Sequence, residues 1–187
     1  MPSAHIIKAL LCGALFVSPL GASARWVVVE PGSTNAAVIS MHFDCDGPAA
    51  RGVPILHLGI WPDGKVVWST KTNSVRTYFT TNVGPSVVRA LLQKFKDRSY
   101  LNGSKISRLF YVPIDGCYDS INVNADVGWL AYDSCVDFTD PTTPKMDWRM
   151  FDHVEAWKWI VTELRAFTPK TGRKLDAFDF RVRMIPE

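Results

Sequence analysis

A chain of 187 residues with 47% hydrophobic and 21% charged residues can enclose a real core and is too apolar to be a disordered polymer. Its formal charge of +3 is spread along the chain without a block of consecutive basic residues, which argues against nucleic acid as a partner. Its seven tryptophans read first as core, and only second as a Trp-lined binding surface, because large aromatics mostly serve packing.

The N-terminus carries Lys8, an apolar run from Ala9 to Leu20 and the small-residue end Ala22-Ser23-Ala24, the pattern of a secretory signal peptide cleaved after Ala24. The run is broken by Gly13 and Pro19 and falls short of the ~20 apolar residues that a membrane-spanning helix needs. Bulky Leu11, just before Cys12, disfavours a lipid anchor on that cysteine. The expected product is one secreted or periplasmic domain, residues 25–187, in an oxidising space where structural disulfides persist.

Trp26-Val27-Val28-Val29 and Ala36 to Phe43 read as short strands around the turn-forming segment from Pro31 to Asn35. Ile55 to Trp61 and Lys65 to Ser69 flank Pro62-Asp63-Gly64, a three-residue hairpin loop of the type I turn plus bulge kind, in which Gly64 supplies a positive φ. Pairing Trp61 with Lys65 sets Ile60 across from Val66 and Leu58 across from Trp68, with His57, Gly59, Val67 and Ser69 on the other face. Trp68 is then core. Trp61 beside Lys65 reads as a partly exposed cation–π pair or as a sugar-stacking platform, the structural use being the commoner one.

Polar residues dominate from Ser69 to Asn82, with a strand near Thr77 to Thr80. Pro85 suits the first position of a helix whose apolar stripe is Val87, Val88, Leu91, Leu92 and Phe95 and which ends near Tyr100. Ile106 to Val112 reads as a strand. A second helix, from near Pro144 to about Phe167, carries the stripe Phe151, Val154, Trp157, Val161 and Leu164, with Trp159 turned away from it. The alternation from Phe178 to Met184 marks a half-buried last strand. Strands in runs with only two helices give an α+β fold, a mainly antiparallel sheet with two packed helices.

Cys117 to Asn124 and Trp129 to Cys135 flank the turn Ala125-Asp126-Val127-Gly128. With Asp126 as the centre, Val123 faces Trp129, Ile121 faces Ala131, Asp119 faces Asp133 and Cys117 faces Cys135. Directly opposed residues lie within the Cα separation a disulfide tolerates, so this register predicts a Cys117–Cys135 bridge stapling the hairpin. Cys45 is then buried or available to another chain; the competing scheme pairs Cys45 with one of the other two. Opposed carboxylates repel, so either this register is wrong or something compensates. Asp119 and Asp133 are a solvated or slightly shifted acidic pair or, if the register holds, a general acid beside an ionised partner as in glycoside hydrolysis, or a cation site helped by Asp137 and Asp140. Calcium-loop spacing is absent from the sequence, and no metal or cofactor is expected.

His42, Asp44, Cys45 and Asp46 are close in sequence, but alternation puts His42 and Asp44 on one face and Cys45 on the other. That weakens a thiol–imidazole nucleophile unless His57 or His153 folds in beside the thiol. The sequence has no GxSxG elbow, no HExxH, no phosphate-binding glycine loop and no CxxC.

The segment from Ile55 to Tyr100, with its strand, Asp63-Gly64 turn, Val66-Val67-Trp68 and a helix bearing Leu91, Leu92 and Phe95, resembles small exported bacterial domains of unknown function. The resemblance implies an extracytoplasmic α+β domain and carries over no activity and no functional residue; the segment from Cys117 to Cys135 departs from those domains. The expected function is an exported, non-enzymatic module that binds a protein or glycan partner through its sheet face and aromatics such as Trp61 beside Lys65. The alternative is an exported hydrolase of a glycan or cell-envelope polymer, with Asp119 and Asp133 as acid and base.

Overall fold

The computed structural model describes residues 24–31, 34–45, 54–73, 75–101, 106–108, 117–125, 128–134 and 154–186. Of the expected leader, residues 1–24, all but Ala24 lie outside them, as do Phe151, His153, Cys135, Asp137 and Asp140. In chain order the elements are β1 (Ala24–Val29), β2 (Ile39–Cys45), β3 (Ile55–Ile60), β4 (Lys65–Thr72), β5 (Val75–Asn82), α1 (Pro85–Asp97), β6 (Ile106–Arg108), β7 (Cys117–Ala125), β8 (Gly128–Ser134), α2 (Val154–Phe167), β9 (Arg173–Leu175) and β10 (Arg181–Pro186). Eight strands form one sheet in the order β6-β8-β7-β2-β3-β4-β5-β9, and β1 pairs with β10 in a second, two-stranded sheet. Among the described residues all pairings are antiparallel except that of β6 with β8, and two helices accompany the strands, so the fold is α+β with a mainly antiparallel sheet. None of the described helices is long and apolar enough to cross a membrane.

Turn chemistry fixes the middle of the large sheet. Trp61 N donates to Lys65 O at 2.8 Å and Gly64 N to Trp61 O at 3.1 Å, closing the loop on Pro62-Asp63-Gly64 with Gly64 at φ 92°. The register that follows is the expected one, Leu58 across from Trp68 and Ile60 across from Val66. The next turn continues the meander and pairs all of β4 with β5, Lys65 across from Asn82 through Thr72 across from Val75.

The helices obey their apolar spacing. Pro85 opens α1, whose Val88, Leu91, Leu92 and Phe95 are buried, while Val87 stays 43% exposed because it sits one position off that face. Val154, Trp157, Ile160, Val161 and Leu164 form the buried side of α2. Trp159 lies off that stripe and is claimed by α1 instead, meeting Phe95 edge-on at 5.5 Å with the Arg98 guanidinium 5.0 Å from its ring.

Both faces of the large sheet are covered. Ile39, Leu58, Ile60, Val66, Trp68, Ile121 and Val123 pack against α1 and α2 in the larger core cluster. On the opposite face Leu56, Trp61 and Val67 pack with Val28 of β1 and with Phe180, just before β10. The alternation around Phe178 and Phe180 thus serves a second, smaller core, and the regular strand begins only at Arg181.

The β7–β8 hairpin differs from the sequence-based register. Ala125 pairs with Gly128, so the loop is the two residues Asp126 and Val127 and is not centred on Asp126. The whole ladder is displaced by one: Val123 faces Leu130, Ile121 faces Tyr132, Asp119 faces Ser134 and Asp133 faces Ser120. A one-residue slip exchanges the faces of a strand, and here it carries Leu130 and Tyr132 into the helix-facing core, a better use of those side chains than Trp129 and Ala131 would make.

Candidate functional site

A β-bulge builds the site. Met41 of β2 pairs with Leu58 of β3, but the next residue, His42, pairs with Leu56, so His57 is the extra residue opposite the Met41–His42 step. Simple alternation would put Leu56 and Leu58 on one face. With the bulge Leu58 joins the helix-facing core and Leu56 the opposite one, and His57 is freed from the ladder between them.

Asp119 stands across from Phe43, two places before Ile121 on the helix-facing side of β7. His57 Nε2 lies 3.2 Å from Asp119 Oδ1, with 31% and 36% of the two side chains exposed. Strand β2 separates β3 from β7, so the pair reaches over two interstrand spacings, about 10 Å, above Met41. The pair lines a cavity of about 430 Å³ between the sheet and α2, where Met41, Trp157 and Val161 are apolar and Ser69, Arg165 and Thr168 add polar groups.

No family model matches the chain, nor does any curated protein or solved structure. Function has to be argued from this cavity. Asp119 can accept from the imidazole Nε2–H and hold the ring in one orientation, which leaves Nδ1 as the acceptor of the neutral ring. Ser69 is otherwise engaged: its Oγ donates to Leu56 O at 2.6 Å and accepts from Arg76 Nη1 at 2.7 Å. With that proton committed, the arrangement is an imidazole–carboxylate dyad, not a serine triad.

Behind the dyad, through the sheet, lies His42. Only 2% exposed, it shares its face of β2 and β7 with buried Ser40, Ser120 and Asn122, and Nδ1 has no hydrogen-bond partner among the described residues. Burial, reinforced by His57 and partly offset by Asp119, holds its pKa at about 4, so the ring is neutral at physiological pH.

The residues singled out from sequence are scattered. Of the expected acidic pair, Asp119 lines the cavity with His57 as its partner, whereas the register places Asp133 across from Ser120. Trp61 is 1% exposed, edge-on to Phe178 and with Nε1 donating to Asn35 O at 3.3 Å. Its ring is a core group under Lys65, whose Nζ sits 5.3 Å from the ring centroid and 2.6 Å from Glu30 Oε1, and it has no open face for a sugar to stack on. Lys65→Met is expected to cost only about 1 kcal/mol in urea unfolding, because both partners of the ion pair are one-third exposed. What sequence reading missed is the His57–Asp119 contact, because Leu56 and Leu58 share one face on a regular strand and only the bulge, which no local residue announces, turns His57 toward Asp119.

Proposed function

We propose that the chain is an exported, disulfide-stabilised, non-enzymatic binding domain that receives a short glycan segment in the cavity beside α2. The observation that carries this reading is the His57–Asp119 pair in the lining of a cavity that also presents Met41, Trp157 and Val161. A volume of about 430 Å³ is in the range of small-ligand pockets, and it is a poor match for a protein interface, which buries roughly 800 Å² on each partner over a broad surface. Imidazole, carboxylate, hydroxyl and guanidinium groups lining a cavity together with Met41, Trp157 and Val161 suit a ligand rich in hydroxyls with one apolar ring face. Export is supported by Lys8, the apolar run to Leu20 and Ala22-Ser23-Ala24, and by the likeness of Ile55 to Tyr100 to small exported domains. Export in turn supplies the oxidising space for a bridge on Cys117.

A second reading, hydrolysis, draws on the same dyad, since a carboxylate-oriented imidazole is the usual form of a general base. It no longer draws on opposed aspartates. Calorimetric titration of the chain with soluble envelope and extracellular glycan oligomers separates the two. Binding without product release is expected, with Asp119→Asn and His57→Gln each weakening it by roughly 10- to 100-fold, the worth of a hydrogen bond to a charged group. Turnover lost in both variants would replace the binder with a hydrolase, and unchanged affinity in both would remove the cavity as the seat. A peptide ligand held with the same sensitivity to both substitutions would exchange glycan for protein.

A further inference from the structure

Strand β2 ends at Cys45 and β7 begins at Cys117, and the two are Cα partners, the last rung of a ladder that runs without a break from Ile39 across from Val123. Opposed residues of an antiparallel pair have Cα atoms about 4.5 to 5.5 Å apart, inside the disulfide window of about 4.4 to 6.8 Å. The hairpin ladder, displaced by one from the register that set Cys117 across from Cys135, ends among the described residues with Asp119 across from Ser134 and no longer supplies the argument for that rival pairing.

We propose that Cys45 and Cys117 form a disulfide that staples β2 to β7 two residues from Asp119 and three from His42. The bond ties the strand that carries the dyad's carboxylate to the strand over which the dyad reaches. Its oxidant is an exogenous disulfide. The thiolate of one cysteine attacks that disulfide, releasing one oxidant thiol and leaving a mixed disulfide, and the second thiolate displaces the other oxidant thiol. Two protons and two electrons leave the cysteine pair, and the oxidant ends as two thiols. The bond's presence in the cell rests on the export reading; its pairing does not.

The test is disulfide mapping of the full chain, refolded in a glutathione redox buffer and, separately, recovered from producing cells with free thiols blocked. Trypsin alone is insufficient because Cys117 and Cys135 share the stretch from Leu109 to Lys145, without a lysine or arginine between, so chymotrypsin is added to cut between them. The expected product joins a Cys45 fragment to a Cys117 fragment, persists in Cys135→Ser and is lost in Cys45→Ser. A Cys117–Cys135 or Cys45–Cys135 link, or free thiols at Cys45 and Cys117 after refolding, overturns the pairing. The Cys45–Cys117 link in refolded protein together with free thiols in the cellular material sustains the pairing and overturns export.

Discussion

Acidification from pH 7 to pH 4 is expected to cost the fold about 3 kcal/mol through His42 alone. The unfolded chain takes up this proton near the ordinary histidine value of 6.5, whereas the folded chain does so only near 4. Between those values the unfolded state binds more protons, so stability rises with pH there. The contribution is complete above about pH 6.5 and is lost as the pH falls through the window down to the folded value. The cause is location. His42 is buried on the face whose neighbours include Ser120 and Leu56, and a charge there meets the nearby imidazole of His57 with only the Asp119 carboxylate to favour it. Urea midpoints for the natural chain and His42→Gln, measured from pH 7.5 to 4, provide the check. The natural chain should lose stability more steeply below pH 6.5; parallel profiles would mean that His42 is not held neutral.

The same histidine shows where the sequence was readable. Between Trp61 and Lys65 the loop Pro62-Asp63-Gly64 admits one backbone path, and the register on either side follows from it residue by residue. The stripes of both helices were equally legible because one buried face at a 3.6-residue period has few alternatives. In the second hairpin, Ala125-Asp126-Val127-Gly128 contains no residue that demands one turn type, so loops centred one position apart both fit the local chemistry. Tertiary burial of Leu130 and Tyr132 decides between them, and no local rule could supply that. The bulge at His57 was hidden for a related reason. Ile55 to Ile60 reads as a regular strand, and only the presence of cores on both sides of the sheet requires Leu56 and Leu58 to face apart. The dyad depends on the bulge, while the hairpin register decides only that Asp133 is not across from Asp119.

Gly64→Ala is expected to cost about 4 kcal/mol, or roughly 10 °C in Tm for a chain of this size. The smaller part is conformational: Gly64 sits at φ 92°, in the left-handed region, where an L side chain costs roughly 1–2 kcal/mol. The larger part is a collision the hairpin sequence does not reveal. A Cβ on Gly64 would meet the N, Cα and C atoms of Gly84, each at 2.5 Å. These are backbone atoms, and no rotamer change moves them aside. Gly64 O also accepts from Val83 N at 2.9 Å, so the hairpin loop and the entry to α1 are locked together at the point of collision. Relief requires shifting Gly84, and behind it Pro85 and the helix whose Val88, Leu91 and Phe95 fill the larger core. Gly84→Ala is the control. Its φ of 83° is also left-handed, but an added Cβ has nothing within 4 Å, so only the conformational cost applies, about 2 kcal/mol. Thermal melts of the two variants side by side distinguish backbone strain from contact: equal losses would show that the approach of the two glycines is not a feature of the folded chain, while a Gly64 loss about twice that of Gly84 makes this junction the brace that sets α1 against the sheet.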